Sequence, residues 1–311
     1  MSALMARIFA VFLMLLIIPE IGNKKGMWYN NLMKLDTIGS LFSRAWEGFR
    51  KRFDTVAKVF LVPVVFIVLG RMLLSHETPA TIALGFLLTI ISVIASLAAT
   101  IALISVFGKG TDFAASYRTG FKLFWPSVWI AIMVGLAVFG GFVMLIVPGI
   151  MLAIALGLSS FVLVLDGKRG LAALAASREY IKGYWWAVFG RMLLVILIYI
   201  AALLILYAPF QLLFGSYVGS LVYGILIWII TPFIISYEYE IFENLRRLKP
   251  SVAAESEAKM ETSFLKVAMV LGIIGWVAFA ALIALGIAFA PNGYQGYYGP
   301  GMTPPPSQGS Y

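Results

Sequence analysis

Apolar residues run along this chain in long blocks, not in the alternation of a half-buried strand, and short polar stretches separate the blocks. A helix that spans a bilayer needs roughly 20 apolar residues to cross about 30 Å of hydrocarbon. Seven blocks reach that length, at about 56–74, 80–107, 127–147, 149–165, 186–207, 217–236 and 264–290. The pattern predicts an all-α fold, a polytopic transmembrane helical bundle of about seven spans. From Leu123 to Leu165 there is no formal charge at all, about two spans' worth of chain, so this stretch must cross twice. Its break is Pro148-Gly149: proline cannot donate a helical hydrogen bond, and glycine accepts the strained backbone of a tight turn. Residues 147–149 therefore read as the tip of a hairpin. The rival reading is a broken helix lining a binding site, which calls for a matching break elsewhere; only Thr231-Pro232 comes near.

Between the blocks the period changes to that of an amphipathic helix. "SLFSRAWEGFRKRF" places Leu41, Phe42, Ala45, Trp46, Phe49 and Phe53 on one face, with Ser43, Arg44, Glu47 and Lys51 opposite and Arg52 as an exception. "DFAASYRTGFKLFW" repeats the arrangement, with Phe113, Tyr117, Phe121, Phe124 and Trp125 against Thr119 and Lys122. "LAALAASREYIKGYWW" takes the same place in the order, although Arg178 interrupts its apolar face. Such helices lie in the membrane interface, rings in the acyl boundary and cations among headgroups. Each precedes a pair of spans, so residues 37–240 read as a six-span membrane domain built of three units of interfacial helix plus hairpin. A polar linker follows at 241–263, loosened after Pro250, with Glu243 and Arg247 placed to pair on one helical face. One additional span lies at 264–290, then a Gly-, Pro- and Tyr-rich tail at 291–311 that cannot build a core and is expected to be disordered. The N-terminal segment 1–36 contains a short apolar run. It reads as a short extra span or as chain upstream of the true start, with Met27 or Met33 as that start.

Composition agrees with a bilayer and with little else. Of the 311 residues, 62% are hydrophobic and 12% charged, half the charge of a soluble domain. The net charge of +9 does not point to nucleic acid, because the cations are spread between apolar blocks. Of 23 lysines and arginines, 17 fall in alternate loops, at 44–58, 109–122, 168–182 and 246–266. By the positive-inside rule these loops are cytoplasmic, and Pro148-Gly149 and the C-terminal tail lie outside. The residues expected at the membrane surface, against anionic headgroups, are Arg44, Trp46, Phe49, Arg50, Lys51, Arg52, Phe121, Lys122, Lys168, Arg169 and Lys182.

The chemistry of catalysis is missing from the pattern. There is no cysteine and one histidine, His76, in a short loop beside Glu77, where a metal site would need further ligands at helical spacing. All 14 acidic residues lie in loops, block ends or the linker, whereas ion-coupled carriers place such groups at membrane depth. Only Arg71 and Arg191 intrude, both near enough to a block end to snorkel. Ser92, Ser96 and Thr100, with Ala95 and Ala99, form a small-residue stripe suited to close helix packing. No catalytic residue, metal or cofactor is expected.

Residues 148–190, with Pro148-Gly149, Asp166-Gly167, Ser177 and Trp185-Trp186, resemble the core of a family of bacterial membrane domains. Members stand alone as multi-pass proteins of unknown function or are fused to glycerophosphodiester phosphodiesterases. "FSRAWEGFRKRF" and "SYEYEIFENLRR" are similar to the family's start and end, so the likeness covers about residues 37–250. It implies a membrane domain of a bacterial cytoplasmic membrane. It does not imply the phosphodiesterase activity, because the metal-binding acids and histidines of that barrel have no counterpart here. The expected function is a non-enzymatic scaffold or partner- and lipid-binding subunit. Its expected partners are an anionic bilayer and a membrane protein. A channel or uncoupled permease for a small or lipid-like solute is the alternative, and an integral phosphodiesterase comes third.

Overall fold

A computed structural model describes residues 35–74, 78–202, 204–205, 208–255 and 262–288. The expectations for residues 1–34, for His76 and Glu77 and for the tail lie outside them. The described chain is an all-α bundle without strands. Helix α1 (Ile38–Lys51) starts where the Thr37 hydroxyl accepts the Ser40 N–H at 3.3 Å and closes on Arg50 and Lys51, cations suited to a helix C-terminus. It leads into α2 (Phe53–Leu74) and, after a turn, α3 (Pro79–Lys109), which pack as a hairpin. Their crossing is close because Gly70 faces Gly85, where a Cβ on Gly85 would stand 2.9 Å from the Gly70 carbonyl. Pro63 sits inside α2 and supplies no N–H, so the carbonyl of Val59 loses its helical donor. The Tyr117 hydroxyl donates to that carbonyl at 2.7 Å, from α4 (Phe113–Lys122). The sequence pattern placed Tyr117 in the membrane interface; half of its role is to satisfy the proline's vacant acceptor.

The hairpin of the uncharged stretch is present, but its break is displaced. Helix α5 (Phe124–Met144) ends at Leu145, whose backbone is extended (φ −170°, ψ 160°), and α6 (Ile146–Leu156) begins at once. Pro148 and Gly149, expected at the tip, instead lie in the first turn of α6, where a missing N–H breaks no helical bond. Gly149 has no strained backbone to absorb. It is small because the Phe142 ring covers it, 2.5 Å from where a Cβ would be. Helix α6 continues through a single turn, α7 (Ser159–Phe161), into a π-helix at Val162–Asp166.

The third amphipathic segment behaves unlike the first two. Helix α8 (Gly170–Ile181) is buried from Ala172 to Ser177 and again at Tyr180 and Ile181, so it is a core helix and not an interfacial one. Ser177 donates to the Ala155 carbonyl of α6 at 2.8 Å. At Gly183, φ +83°, the chain turns through 99° into α9 (Trp185–Ala202). This bent pair therefore breaks at Gly183, at neither Pro148 nor Pro232. The three-unit repeat ends with the second unit.

Helix α10 (Ala208–Leu248) kinks at Gly215, and beyond the kink it runs about 50 Å, longer than the roughly 30 Å of a hydrocarbon core. The short helix α11 (Pro250–Ala254) buries Val252, which docks the start of the linker expected to be loose. Helix α12 (Ser263–Ala288) lies along α5, with Gly140, Gly272 and Gly275 at the contact. Among the described residues five helical segments are long and apolar enough to cross a membrane, and α8 with α9 makes a sixth if the bent pair counts as one span. The block at 217–236 falls in α10, where most of the side chains lie outside the described residues.

Candidate functional site

The basic loops come together at one end of the bundle, around the last turns of α10. Rings seat α1 there: Phe42, Trp46 and Phe49 stand 5.1, 6.0 and 6.1 Å from Phe233, and Ser236 donates to the Ala45 carbonyl at 3.0 Å. The predicted apolar face of α1 divides in two. Leu41, Ala45 and Phe49 are buried in protein, while Phe42, Trp46 and Phe53 face outward.

Asp36 is the hub of the first polar cluster. Its carboxylate accepts from the Arg44 guanidinium at 2.5 Å and from the Asn244 amide at 2.6 Å, and its carbonyl accepts from Arg191 at 2.7 Å. Arg44 also donates to Glu240 at 2.9 Å. Arg44 thus holds two carboxylates while 37% of its side chain stays exposed at the surface. Arg191 corrects the expectation. It is 8% exposed and does not snorkel, because carbonyls of Ala187 and Asp36 give its guanidinium acceptors inside the bundle. Its Nε and the Tyr237 hydroxyl remain without hydrogen-bond partners among the described residues.

The second cluster closes the π-helix. Asp166, with a side chain 1% exposed, faces the Arg246 guanidinium at 3.0 Å and accepts from the Tyr180 hydroxyl at 2.8 Å. Gly167, φ +76°, then reverses the chain in a conformation that side-chain-bearing residues disfavour. Glu243 pairs with Arg247 at 3.3 Å, as the sequence spacing predicts, and lies 3.7 Å from Arg246.

A third group holds the linker. Lys168, expected at the membrane surface, is 5% exposed and donates its ammonium to the Glu255 carbonyl. Lys249 donates to the Glu179 and Lys182 carbonyls at the C-terminus of α8, where a cation offsets the helix dipole, and stands over the Tyr184 ring at 5.5 Å. Lys182 itself is exposed and pairs with Glu179 at 3.4 Å.

What remains on the outside is cationic and aromatic. Arg50, Lys51, Lys122 and Arg169 are exposed and Arg52 is half-buried. Trp46, Phe121, Trp125 and Trp186 are exposed around them. On α4 the buried face is the small one, Ser116 and Gly120, so the aromatic row keeps its outward place.

Asp36, Glu240 and Asn244 were not singled out from the sequence. A signal was present, since Glu240 and Asn244 sit one helical turn apart immediately after an apolar block, opposite loops rich in arginine.

Just past the apolar block at 217–236, burial pushes the carboxyl of Glu238 up to about 7. An acid with a raised folded-state value favours folding while protonated, so its contribution is complete below the ordinary value near 4.5. That contribution is lost as pH rises through 7. Detergent-solubilised protein is therefore expected to melt at a lower temperature at pH 8 than at pH 5.5. In Glu238→Gln that difference should shrink; an unchanged pH profile in the variant would assign the dependence to another group.

A cavity of 570 Å³ lies between α5 and the α6–α7 break, lined by apolar and small side chains with two serines and no charged residue. No cluster of three metal-ligating side chains occurs among the described residues. The fold and the polar end define a class, the multi-pass α-helical membrane protein. No family model, curated protein or solved structure matches the chain.

Proposed function

We propose that this protein is a non-enzymatic scaffold or binding subunit of a bacterial cytoplasmic membrane. Its basic end rests on the anionic leaflet and is presented to a membrane-protein partner. One observation carries the reading: the cations at that end are sorted. Arg44, Lys168, Arg191, Arg246 and Lys249 are each engaged by carboxylates or carbonyls of the protein. Arg50, Lys51 and Lys122 stay outside, beside exposed Trp46, Phe121 and Trp125, which is the arrangement of an interfacial anchor. The positive-inside rule makes this end cytoplasmic. The likeness of residues 148–190 to the phosphodiesterase-linked membrane domains supports a role beside another protein.

Replacing Arg50, Lys51 and Lys122 together by glutamine tests the surface. Each cation near an anionic leaflet is worth about 1 kcal/mol, so preferential retention of phosphatidylglycerol over phosphatidylcholine is expected to fall at least tenfold. Native mass spectrometry of the purified protein reads the ratio, and equal retention by wild type and variant would reject the surface. In liposomes the wild type is expected to drive no solute uptake from a proton gradient and to hydrolyse no glycerophosphodiester. A second reading, an uncoupled permease for a lipid-like solute, is favoured by the 99° bend between α8 and α9, since broken helices recur at transport sites.

A further inference from the structure

We infer that Arg52 and Tyr239, at the seam between α1 and α10, form a binding site for the phosphodiester of one membrane phospholipid. The inference rests on the reading of the basic end as a membrane-facing surface and names the site within it that takes a single lipid.

Arg52 is the residue that the amphipathic pattern of α1 leaves unexplained, a cation on the apolar side. It caps the C-terminus of α1 (φ −112°, ψ 16°), where the chain turns into α2, a helix apolar enough to cross a membrane. A residue at the mouth of a span stands at the edge of the hydrocarbon, beside the lipid phosphates. Its side chain runs back along α1. A Cβ on Gly48 would lie 3.8 Å from Arg52 Nη1 and 3.8 Å from the Ser236 hydroxyl of α10. The missing side chain at Gly48 thus leaves the guanidinium room against the seam.

Charge decides what the site takes. Arg44, Lys168, Arg191, Arg246 and Lys249 each reach a carboxylate or carbonyl of the protein. Arg52 is half-buried, yet among the described residues its guanidinium has neither an ion pair nor a hydrogen bond. The charged groups around the Tyr239 hydroxyl are Glu243, Glu240, Arg52 and Arg247. Arg44 holds Glu240 at 2.9 Å and Arg247 holds Glu243 at 3.3 Å. Of the four, Arg52 is left uncompensated. A half-buried guanidinium has given up part of its hydration, and its planar fork matches two oxygens of one phosphate. Tyr239 supplies a further donor. Burial, with Glu243 and Glu240 beside it, pushes this phenol above its ordinary value, so the hydroxyl keeps its proton. That hydroxyl has no hydrogen bond to the described residues.

Two rings indicate where the phosphate comes from. Trp46 and Phe53 are exposed, and each packs on Phe49, at 5.9 and 5.6 Å. Exposed rings at a membrane surface sit in the acyl boundary, which brings a phosphate with its acyl chains to Arg52. A free phosphate ion gains nothing from them.

The test uses a lipid without net charge. Full-length protein in detergent is given phosphatidylcholine alone, and native mass spectrometry counts the copies that survive collisional activation. The preference of Arg50, Lys51 and Lys122 for anionic lipid is silent here, while the phosphate is present. Wild type is expected to retain one copy, and none of a diacylglycerol with the same acyl chains. Arg52→Gln should lower retention about tenfold and Tyr239→Phe about threefold, the scale of lost charge-assisted hydrogen bonds. Arg52→Lys keeps the charge without the fork and should remain well below wild type. Lys58→Gln, at the same end but paired with Asp54 at 2.6 Å, should change nothing. Retention by Arg52→Gln within about twofold of wild type, equal retention of the diacylglycerol, or displacement of the lipid by millimolar inorganic phosphate would each overturn the inference. Unchanged retention in Tyr239→Phe would overturn the paired site even if Arg52→Gln does not fold. The variant lacking Arg50, Lys51 and Lys122 should keep its phosphatidylcholine, so the surface and this site fail separately.

Discussion

Gly272→Ala is expected to undo the docking of α12 on α5 with one methyl group. The added carbon would be driven into the Leu136 backbone carbonyl, and the facing Gly140 is just as tightly set against the carbonyl of Ala268. A side chain can rotate away from such a contact, but a helix carbonyl moves only with its helix. Overpacking costs typically about 1–3 kcal/mol, and the rigid neighbour places this case at about 3 kcal/mol. Between apolar helices in lipid the attraction is mainly close packing, so separation by even an ångström removes much of what holds them. Thermal unfolding in detergent and hydrogen exchange along α12 would report the loss. Gly286→Ala, on the same helix but in open space, should stay within about 0.5 kcal/mol of wild type. Equal stability of the Gly272 and Gly286 variants would refute the contact.

The Asp166–Arg246 pair should respond asymmetrically. Asp166 is enclosed, while Arg246 keeps 37% of its side chain in contact with solvent. Removing the arginine, as in Arg246→Met, strands a buried carboxylate with only the Tyr180 hydroxyl to hold it. Breaking a fully buried pair costs about 3–5 kcal/mol, and the exposure of Arg246 reduces this to about 2–3 kcal/mol. Asp166→Asn removes the charge itself, keeps an oxygen for Tyr180, and lets Arg246 turn to water, so it should cost about 1 kcal/mol. The double variant is expected to resemble Asp166→Asn, because the stranded charge is then gone. A chemical denaturation series on the three proteins tests the order. A larger loss in Asp166→Asn than in Arg246→Met would show that the carboxylate is not the buried partner.

Both predictions concern contacts invisible along the chain. Small residues recur every fourth position in residues 92–100, and the structure buries Ser92, Ala95 and Ala99 but turns Ser96 and Thr100 outward. Gly140 of α5 and Gly272 and Gly275 of α12, which set the close approach of those two helices, carry no such signal, because glycines in separate blocks have no common register in one dimension. The cations illustrate the same limit. Lys51 and Lys168 both sit in basic loops beside apolar blocks, yet one is exposed and the other is nearly enclosed against the Glu255 carbonyl. Nothing local distinguishes them. The difference is that the Glu255 carbonyl, just after α11, is brought onto Lys168, whereas Lys51 stays exposed.

Block length and charge placement by themselves determined the helical class, five of the seven expected spans, the hairpin within the uncharged stretch and the Glu243–Arg247 pair. These follow from the length needed to cross hydrocarbon and from neighbours one helical turn apart, both properties of a short piece of chain. Only the tertiary structure decided that the break falls at Leu145, that α8 is a core helix, and that Lys168 and Arg191 turn inward. For the last three the deciding partner is distant in sequence: Ala155 for Ser177 of α8, Glu255 for Lys168, Asp36 for Arg191. A charged or small side chain can be satisfied equally by lipid, water or protein, and that choice is made only when the helices pack.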